Sequence, residues 1–371
     1  MFAEEAMDFL AEVSSELLNS PIGRAYPDVA SFAFYIRKAN LAKLAAEFGN
    51  TAGRLGRGLC FHIAPANIPI NFAFSWVFSL LAGNANIVRV PSKDFPQVAA
   101  VLAVIEKTLT KHPAIAERNA FVKYPRTDNE TTAAYSEAAD CRMIWGGDET
   151  IAAIKTLPSS PRCVDIAFAD RYSVAIIDGA AVCAADDVQM VRLAEAFYND
   201  TYLMDQNACS SPQLICWEHD SVEARTKFWT AVRGHAAKKY RLQDAVAVDK
   251  YTLLCEESIK NSAAATIFRE GNLLYREELT FLPEDLMVHR GKGGYFFEYA
   301  LTNRADLFAH ITEKWQTITY FGLNPAALRD QIIAANLRGI DRIVPIGKAM
   351  EIGAIWDGHD LIRQLSRVIA I

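Results

Sequence analysis

The chain has 371 residues, of which 51% are hydrophobic and 22% are charged, and its formal net charge is −6. This length is more than one ordinary hydrophobic core accommodates, so we expect a globular protein of two domains. The negative charge and the lack of a basic block argue against nucleic acid or an anionic membrane as the main partner.

The cysteines and the N-terminal segment indicate the compartment. Seven cysteines form no Cys-x-x-Cys pair, and their odd number argues against a disulfide framework. No segment has the ligand spacing of a metal site. The acidic start lacks the pattern of a signal peptide, and the most apolar run, residues 72–82, is far shorter than the ~20 residues of a membrane span. We therefore expect a reduced, cytoplasmic protein of the size of an enzyme.

Apolar residues recur at helical spacing in two N-terminal segments, residues 3–20 and 28–48. From residue 58 the pattern changes to strand, helix and strand, at residues 58–64, 70–82 and 86–90. Both strands are apolar enough to be buried on two faces, which is typical of a βαβ unit.

Strands and helices continue to alternate along the chain. Further strands are predicted at residues 120–124, 142–145, 164–168, 174–177 and 213–217, and further helices at 95–109, 130–138, from 148 onward, 186–199 and 221–241. This alternation predicts an α/β fold with a doubly wound parallel sheet, whose ligands bind at the carboxyl ends of the strands. Beyond residue 260 the strand candidates are less regular, and the tail from residue 356 is predicted as an amphipathic helix.

Cys209 is the first candidate site residue. It lies in a polar turn between a helical stretch and the strand at residues 213–217, and its Asp, Asn, Ser and Pro neighbours favour loop geometry. A thiol at such a junction can face a cleft beside backbone N–H groups, which suits an acyl-transfer nucleophile. The alternative is a buried structural cysteine.

The domain boundary is predicted as a tight hinge just before Cys209, because the sequence contains no repeat or low-complexity linker. The expected division is N-terminal helices and a dinucleotide-binding domain at residues 1–204, a catalytic domain at 205–345 and a C-terminal return segment at 346–371. The thiol is expected to face the nicotinamide across the crevice between the domains.

Asn67 is the second candidate. Prolines at positions 65 and 69 stiffen the backbone around it at the carboxyl end of a buried strand. A side-chain amide fixed in this way can donate to an oxyanion. The alternative is an asparagine that only hydrogen-bonds its own turn.

Two stretches are candidate cofactor sites. Gly146, Gly147 and Asp148 follow a predicted strand and open a helix, a corner where phosphate can approach free N–H groups at the positive end of the helix dipole. An ordinary helix capped by Asp148 is the alternative. Arg89, Pro91, Ser92 and Lys93 lie at the end of the strand at residues 86–90, where a dinucleotide fold reads the adenosine ribose; basic residues there indicate NADP(H), although exposed cations are also common on solvated loops.

His62 and His359 are candidate proton donors, and for each the alternative is a structural histidine with satisfied hydrogen bonds. No His–Asn or His–Asp pair stands out beside the cysteine, which argues against a cysteine hydrolase.

Three separated stretches together resemble a known family. They are the block from His62 to Lys93, the segment Gln206-Asn-Ala-Cys-Ser-Ser-Pro212, and the C-terminal Asp341-Arg-Ile-Val-Pro-Ile-Gly347 with the residues that follow Trp356. They resemble the aldehyde dehydrogenase superfamily, and within it the acyl-CoA reductase family typified by the bacterial luminescence fatty-acid reductase subunit (LuxC-like). The resemblance spans most of residues 55–371 and implies a Rossmann-like cofactor domain with a smaller α/β catalytic domain.

The resemblance implies a role for each matching residue. Cys209 would be the thiolate nucleophile, and Asn67 would form the oxyanion hole with the Cys209 N–H. Gly146 and Gly147 would meet the cofactor pyrophosphate. Lys93 falls where NAD-preferring members carry a ribose-binding Glu, which supports NADPH. Relatives with this fold usually self-associate, which implies a homo-oligomer.

One departure concerns water activation. Hydrolytic aldehyde dehydrogenases carry a Glu-Leu-Gly-Gly segment whose Glu activates water, whereas the corresponding stretch here reads Val164-Asp-Ile-Ala-Phe168. Hydrolysis of an acyl-enzyme should then be slow, which suits a reductase, unless Asp165 substitutes for the Glu.

These observations predict NADPH-dependent reduction of a (fatty) acyl-CoA thioester to the aldehyde through a Cys209 acyl-enzyme. One alternative is an NAD(P)-dependent aldehyde dehydrogenase that runs in the oxidative direction. Another is a non-reducing subunit of a fatty-acid reductase complex, which carries acyl groups delivered by an acyl-transferring partner protein.

Overall fold

The computed structural model describes residues 1–65 and 68–371, which divide into two units. The first unit consists of Met1–Ala169 with Gly353–Ile371, and the second of Asp170–Ile352. Each unit has its own central sheet and its own hydrophobic core.

This division differs from the predicted one. The boundary expected between residues 204 and 205 falls inside the second unit, as does the expected start of the return segment at residue 346. The strand at Tyr172–Asp178 explains the first difference, because it hydrogen-bonds on both sides to strands of the second unit. It therefore belongs to the second sheet, although the alternation of the sequence assigned it to the first.

A parallel sheet organises the first unit. Its helices are α1 (Glu4–Asn19), α2 (Pro21–Ala25), α3 (Pro27–Tyr35), α4 (Lys38–Phe48), α5 (Asn71–Ala82), α6 (Pro96–Leu109), α7 (Pro113–Ala116), α8 (Asn129–Ala138) and α9 (Asp148–Lys155). Its strands are β1 (Arg54–Gly56), β2 (Leu59–Ile63), β3 (Ala85–Arg89), β4 (Asn119–Val122), β5 (Cys141–Trp145) and β6 (Val164–Phe168). Five of them form a parallel sheet in the order β4-β3-β2-β5-β6, so the doubly wound prediction is confirmed, and the strand order reverses between β2 and β5.

A buried network of polar side chains surrounds His62, a residue of β2. His62 is fully buried, and its Nδ1 lies 2.8 Å from Ser75 Oγ while its Nε2 lies 3.0 Å from Asn86 Oδ1. The Trp145 indole N–H donates to the same Ser75 oxygen at 3.2 Å. Burial lowers the pKa of His62 to about 4. His62 is therefore a neutral structural histidine that braces the ends of β2 and β5, and it has no access to a substrate proton.

The second unit contains a larger sheet. Its helices are α10 (Gly179–Ala184), α11 (Asp187–Asp200), α12 (Val222–Lys239), α13 (Asp244–Lys260), α14 (Arg304–Phe308) and α15 (Pro325–Ala334). Its strands are β7 (Tyr172–Asp178), β8 (Pro212–Glu218), β9 (Ala264–Glu270), β10 (Leu274–Leu279), β11 (Tyr295–Ala300), β12 (Trp315–Phe321) and β13 (Arg342–Pro345). The seven strands have the order β13-β12-β7-β8-β11-β10-β9, and only the edge strand β9 runs antiparallel to its neighbour.

Several helices differ from their predicted limits. Helix α13 was not expected, because its buried positions are Lys250, Leu254 and Glu257 and so present no apolar stripe. The helix predicted at residues 28–48 is divided into α3 and α4. Within the described ranges, no helix combines the length and apolar character needed to cross a bilayer.

The C-terminal segment was predicted as an amphipathic helix, and that prediction is wrong. Residues 353–371 form β14 (Ile355–Trp356), β15 (His359–Asp360), α16 (Leu361–Gln364) and β16 (Ser366–Val368). Asp357 and Gly358 have positive φ values of 49° and 75°, as a tight Asp-Gly hairpin turn requires. The Trp356 ring packs edge-on against Trp145, with centroids 4.9 Å apart, so the hairpin covers the end of β5.

A buried ion pair provides a test of the first unit. The Arg142 guanidinium is almost fully buried and bonds both carboxylate oxygens of Asp165, at 2.6 and 2.7 Å. Asp165→Asn leaves this cation buried and unpaired, so we expect the free energy of unfolding to fall by about 3 kcal/mol in urea denaturation. Asp94→Asn is the control, because Asp94 is 95% exposed in its pair with Lys123, and we expect no resolvable change in the free energy of unfolding. Equal effects of the two substitutions would contradict this account.

Candidate functional site

Cys209 lies three residues before Pro212, the first residue of β8, and is half-buried. It lines a cavity of about 480 Å³ in the second unit, which we call the Cys209 pocket. Most of the pocket wall is polar or charged and includes Gln206, Asn207, Gln213, Glu256, Arg290 and Lys292. The predicted placement of the thiol in an open turn at the start of a buried strand is thus observed.

The Cys209 turn, residues 205–211, has an unusual backbone. Asp205 and Gln206 both adopt left-handed conformations, with φ values of 51° and 61°. They follow a single 3₁₀ turn at Tyr202–Met204. For residues with a side chain this conformation costs roughly 1–2 kcal/mol each, so neighbouring interactions must hold the turn in place. Strain of this kind is characteristic of functional sites.

Gln206 is the main anchor of the turn. Its buried side chain donates from Nε2 to the Tyr295 carbonyl at 2.9 Å, and its Oε1 accepts from the N–H groups of Gly294 and Tyr295 at 3.3 and 3.2 Å. Gly294 is required at this contact, because an added Cβ would lie 2.5 Å from the Tyr202 ring. The amide thus joins the turn to the start of β11.

Further hydrogen bonds fix the two ends of the turn. The Tyr240 hydroxyl donates to Asp205 Oδ1 at 2.6 Å, and Gly293 N–H donates to the Asp205 carbonyl at 3.0 Å. The Ser173 hydroxyl, on β7, donates to the Cys209 carbonyl at 2.6 Å. Elements on three sides therefore determine where the sulfur lies.

Asp200 connects the turn to the C-terminal signature of the second unit. Its buried carboxylate accepts from the N–H groups of Gly347 and Ala349 at 2.6 and 2.9 Å, and its carbonyl accepts from the Ser211 hydroxyl at 2.7 Å. Burial raises the pKa of Asp200 to about 6, and the two N–H donors oppose part of this shift. Two stretches that the resemblance singled out, the Cys209 turn and the segment ending at Gly347, are therefore joined by one residue, through its carbonyl and its carboxylate.

The carboxylates of the Cys209 pocket are all paired with cations. Asp170 pairs with Arg290 at 2.9 Å, Asp249 with Lys292 at 2.6 Å and Glu256 with Lys260 at 3.2 Å. Each of the three carboxylates that line the pocket thus lies beside a cation.

Asp165, the residue considered as a substitute base, lies on β6 of the first unit. Both of its oxygens bond the Arg142 guanidinium. Its role in the described structure is to balance a buried charge. Asn67 lies outside the described residues, so its predicted contact with an oxyanion is treated only as a proposal below.

The candidate cofactor residues gather at one edge of the first sheet. Arg89, Pro91, Ser92 and Lys93 end or follow β3, while Gly146 and Gly147 follow β5, and β2 lies between these two strands. Because the strands are parallel, all six residues lie at their carboxyl ends. This is the edge where the strand order reverses and where such sheets bind ligands.

The glycine corner differs in one detail from its prediction. Gly147, not Asp148, is the N-cap of α9, and it has no side chain to bond the first-turn N–H groups. An added Cβ on Gly147 would meet no atom within 4 Å, so the corner is open. Asp148 and Glu149 occupy the first turn of the helix, and their charges offset the attraction of the helix dipole for an anion.

Arg126 is a cation beside the glycine corner that the sequence pattern did not indicate. Its Nη2 donates to Thr150 Oγ1 at 3.0 Å, which places an exposed guanidinium beside the first turn of α9. Nothing in the spacing indicated it, because Arg126 lies in the turn after β4, which β3 and β2 separate from β5 in the sheet. It supplies the positive charge that the acidic first turn lacks.

The basic residues after β3 have different surroundings. The Arg89 guanidinium lies 4.6 Å from the centroid of the Tyr124 ring and is half-buried, whereas Lys93 is exposed, with Nζ 5.1 Å from the Phe95 ring. Lys93 is the more accessible to a ligand. His359, on β15, bonds Gln364 Oε1 through Nδ1 at 2.9 Å and packs against the Phe168 ring, so it lies beside the same sheet as a packed side chain.

Sequence comparisons find a matching family and a related protein. The model of the family described as acyl-CoA reductase (LuxC) matches residues 45–250. A long-chain acyl-protein thioester reductase of Vibrio harveyi is 24% identical over 328 residues, which cover 84% of this chain and 63% of that relative. The chain thus spans less than two thirds of the length of that relative.

Solved structures match the fold along most of the chain. A glyceraldehyde-3-phosphate dehydrogenase of Methanocaldococcus jannaschii, solved with NADP, has a TM-score of 0.68 at 11% identity and covers 98% of this chain and 88% of its own. Aldehyde dehydrogenase 21 of Physcomitrella patens, solved with succinate, has a TM-score of 0.66 at 12% identity and covers 94% and 79%. The aldehyde dehydrogenase-like fold is therefore confirmed.

The pKa of Asp200 leads to a testable pH dependence. Because the folded-state pKa, about 6, lies above the ordinary value of 3.8, the contribution to stability is complete below about pH 4 and is lost as the pH rises through 6. Asp200→Asn removes this titration. Relative to the variant, we expect the wild type to lose ~3 kcal/mol of unfolding free energy between pH 4 and pH 7, measured by urea denaturation.

The control for this measurement is Asp187→Asn, because Asp187 is an exposed residue at the other end of the same helix. Its unfolding free energy should follow that of the wild type at every pH. A difference between wild type and Asp200→Asn that stays constant from pH 4 to pH 7 would contradict the assigned titration.

Proposed function

The chain belongs to the acyl-CoA reductase (LuxC) family, and on this premise we propose that it reduces an acyl thioester to the aldehyde with NADPH, through an acyl-enzyme on Cys209. The observation that carries the proposal is the placement of Cys209 in a strained turn that opens on a polar pocket. The proposed acyl donor is a fatty acyl-CoA or an acylated partner protein. The printed name of the Vibrio harveyi relative, an acyl-protein thioester reductase, supports the second donor.

The first proposed step is thioester exchange. The Cys209 thiolate attacks the carbonyl carbon of the donor thioester, a new C–S bond forms, and the donor leaves as a thiolate. The Cys209 N–H and the Asn67 side-chain amide are the proposed donors to the oxyanion formed in this step. Ser173 and Gln206 contribute by holding the backbone of the turn, and therefore the attacking sulfur, in a fixed position.

The second proposed step needs a reduced dinucleotide. When bound, NADPH supplies the hydride that converts the acyl-enzyme into the aldehyde and restores the Cys209 thiolate. The residues proposed to hold it are Gly146 and Gly147 at the pyrophosphate and Lys93 at the 2′-phosphate. An open glycine corner at the edge where the strand order reverses, together with an exposed cation after β3, fits a phosphorylated dinucleotide.

The oxidative direction is the second candidate, and the pocket argues against it. An aldehyde dehydrogenase that releases an acid must activate water to hydrolyse its acyl-enzyme. The pocket carboxylates are paired with cations, and Asp165 is bound to Arg142. Incubation with aldehyde and NADP⁺ separates the two functions, because an acylating enzyme forms NADPH only when CoA or another acceptor thiol is present.

The proposed nucleophile is tested by Cys209→Ala. With an acyl-CoA and NADPH, we expect the rate of aldehyde formation to fall to below roughly a thousandth of the wild-type rate, because covalent capture of the acyl group is lost. Cys255→Ala is the matched control, because Cys255 is an exposed thiol on α13, and its rate should stay at the wild-type level.

Two results would contradict the proposed reduction. Undiminished aldehyde formation by Cys209→Ala would remove the cysteine from the mechanism. Stable acylation of Cys209 without consumption of NADPH, with either an acyl-CoA or an acylated partner protein as donor, would instead indicate the non-reducing acyl-carrying subunit.

The proposed cofactor preference is tested by Lys93→Glu. Loss of one charged hydrogen bond of roughly 1.5–3 kcal/mol predicts at least about tenfold weaker NADPH binding, and the new carboxylate should strengthen NADH binding. Binding is measured by quenching of protein fluorescence. Lys155→Glu, which makes the same change in net charge at the far end of α9, should leave both affinities unchanged, and an unchanged NADPH affinity in Lys93→Glu would refute the assignment.

A further inference from the structure

Lys250 is a fully buried lysine in the second unit that the proposed chemistry does not use. It lies near the middle of α13, whose buried residues are Lys250, Leu254 and Glu257. Among the described residues no carboxylate pairs with it, although a buried ammonium group normally requires one. Its position therefore calls for another explanation.

Backbone carbonyl groups take the place of a counterion. Lys250 Nζ donates to the carbonyl oxygens of Asn272, Leu273 and Gly293 at 3.1, 3.2 and 2.8 Å. It also lies 4.4 Å from the centroid of the Tyr275 ring, a favourable place for a cation. An ammonium group has three N–H donors and no acceptor, so the site matches the protonated form. A neutral amine would present a lone pair to one of the three carbonyls.

Further hydrogen bonds connect the partners of Lys250 to the Cys209 turn. Gly293 accepts from Lys250 through its carbonyl and donates from its N–H to the Asp205 carbonyl. The following N–H, that of Gly294, donates to Gln206 Oε1. Leu273, a second partner of Lys250, also accepts from the Tyr202 hydroxyl. The ammonium group is thus two hydrogen bonds away from the Asp205 carbonyl by one route, and by another it shares the Leu273 carbonyl with the Tyr202 hydroxyl.

The charges around Lys250 disfavour the ammonium form. Burial first, and the positive charge of Arg269 on β9 second, lower the pKa of Lys250 to about 7. Its other titratable neighbours are balanced or neutral: Asp249 pairs with Lys292, and Tyr275 presents its ring. The three carbonyl oxygens act in the opposite direction and favour the charged form. Lys250 therefore changes between its charged and neutral forms near neutral pH.

We propose that Lys250 is a positioning residue for Cys209, whose ammonium group ties α13 and the segment at residues 291–294 to the Cys209 turn, and whose deprotonation releases this tie. The inference rests on the proposed role of Cys209 as the nucleophile. A released segment removes the partners of Asp205 and Gln206, the two strained residues of the turn, and the sulfur then samples positions away from the one that the hydrogen bonds select.

The test compares wild type with Lys250→Met, which keeps the length of the side chain and removes its charge and N–H donors. Alkylation by iodoacetamide is followed by peptide mass spectrometry between pH 6 and pH 9, as the ratio of labelled Cys209 to labelled Cys255. Cys255 is an exposed thiol on the same helix, so the ratio cancels most of the ordinary pH dependence of thiolate formation. Cys209→Ser identifies the adduct.

We expect wild type to label Cys209 about tenfold faster than Lys250→Met at pH 6, as loss of a charged hydrogen bond predicts, and at the same rate at pH 9, where neither side chain carries a charge. If Cys209 labelling in the two proteins differs by the same factor at every pH, Lys250 only fills space. If the two proteins label Cys209 at equal rates at every pH, Lys250 has no role in positioning the thiol. Either outcome overturns the proposal.

A second measurement on the wild type needs no variant. Hydrogen exchange at the amides of Gly293, Gly294 and Tyr295, corrected for the intrinsic effect of pH, should show protection that falls roughly tenfold from pH 6 to pH 9. Unchanged protection would overturn the proposal. Neither measurement requires reductase activity. If both give the expected result and the protein reduces no thioester, the proposed function is contradicted and the proposed role of Lys250 is not.

Discussion

The buried amide of Gln206 is the contact on which the arrangement of the second unit's site depends. It uses both its donor and its acceptor on the backbone at the start of β11, and it does so from a left-handed conformation that the chain adopts at a cost. A carboxylate would have no donor for the Tyr295 carbonyl, and an aliphatic side chain would remove all three of these hydrogen bonds. The position of Cys209 three residues later follows from this fit.

Much of the fold follows from patterns that the sequence displays openly. The βαβ unit of β2, α5 and β3 appears as two apolar runs around a continuous apolar helix, and the later alternation predicts the parallel sheet. Helix α13 escaped prediction because its inward face carries Lys250 and Glu257, side chains that hydrophobic periodicity assigns to solvent. The tail was misassigned because Asp357 and Gly358 interrupt a helical spacing with a hairpin turn, and short-range turn chemistry overrode periodicity.

The sequence likewise predicts some features of the candidate site and not others. The residue types around Cys209 indicated a loop, and the resemblance to the acyl-CoA reductase family, now confirmed, indicated a nucleophile. The partners that fix the turn could not be predicted, because they are distant in the chain: Tyr295 is 89 residues from Gln206, and Gly347 is 147 residues from Asp200. Arg126 illustrates the same limit, since its partner Thr150 is 24 residues away and lies in a helix that follows a non-adjacent strand.

The paired charges of the Cys209 pocket have a consequence for how substrates arrive. Asp170, Asp249 and Glu256 each have a neighbouring cation, so the positive and negative charges at the pocket offset one another. Such an opening exerts little long-range pull on a charged molecule, and added salt should barely slow its capture. Productive encounters then depend on short-range fit, a property that suits a donor presented by another surface as well as one that diffuses freely.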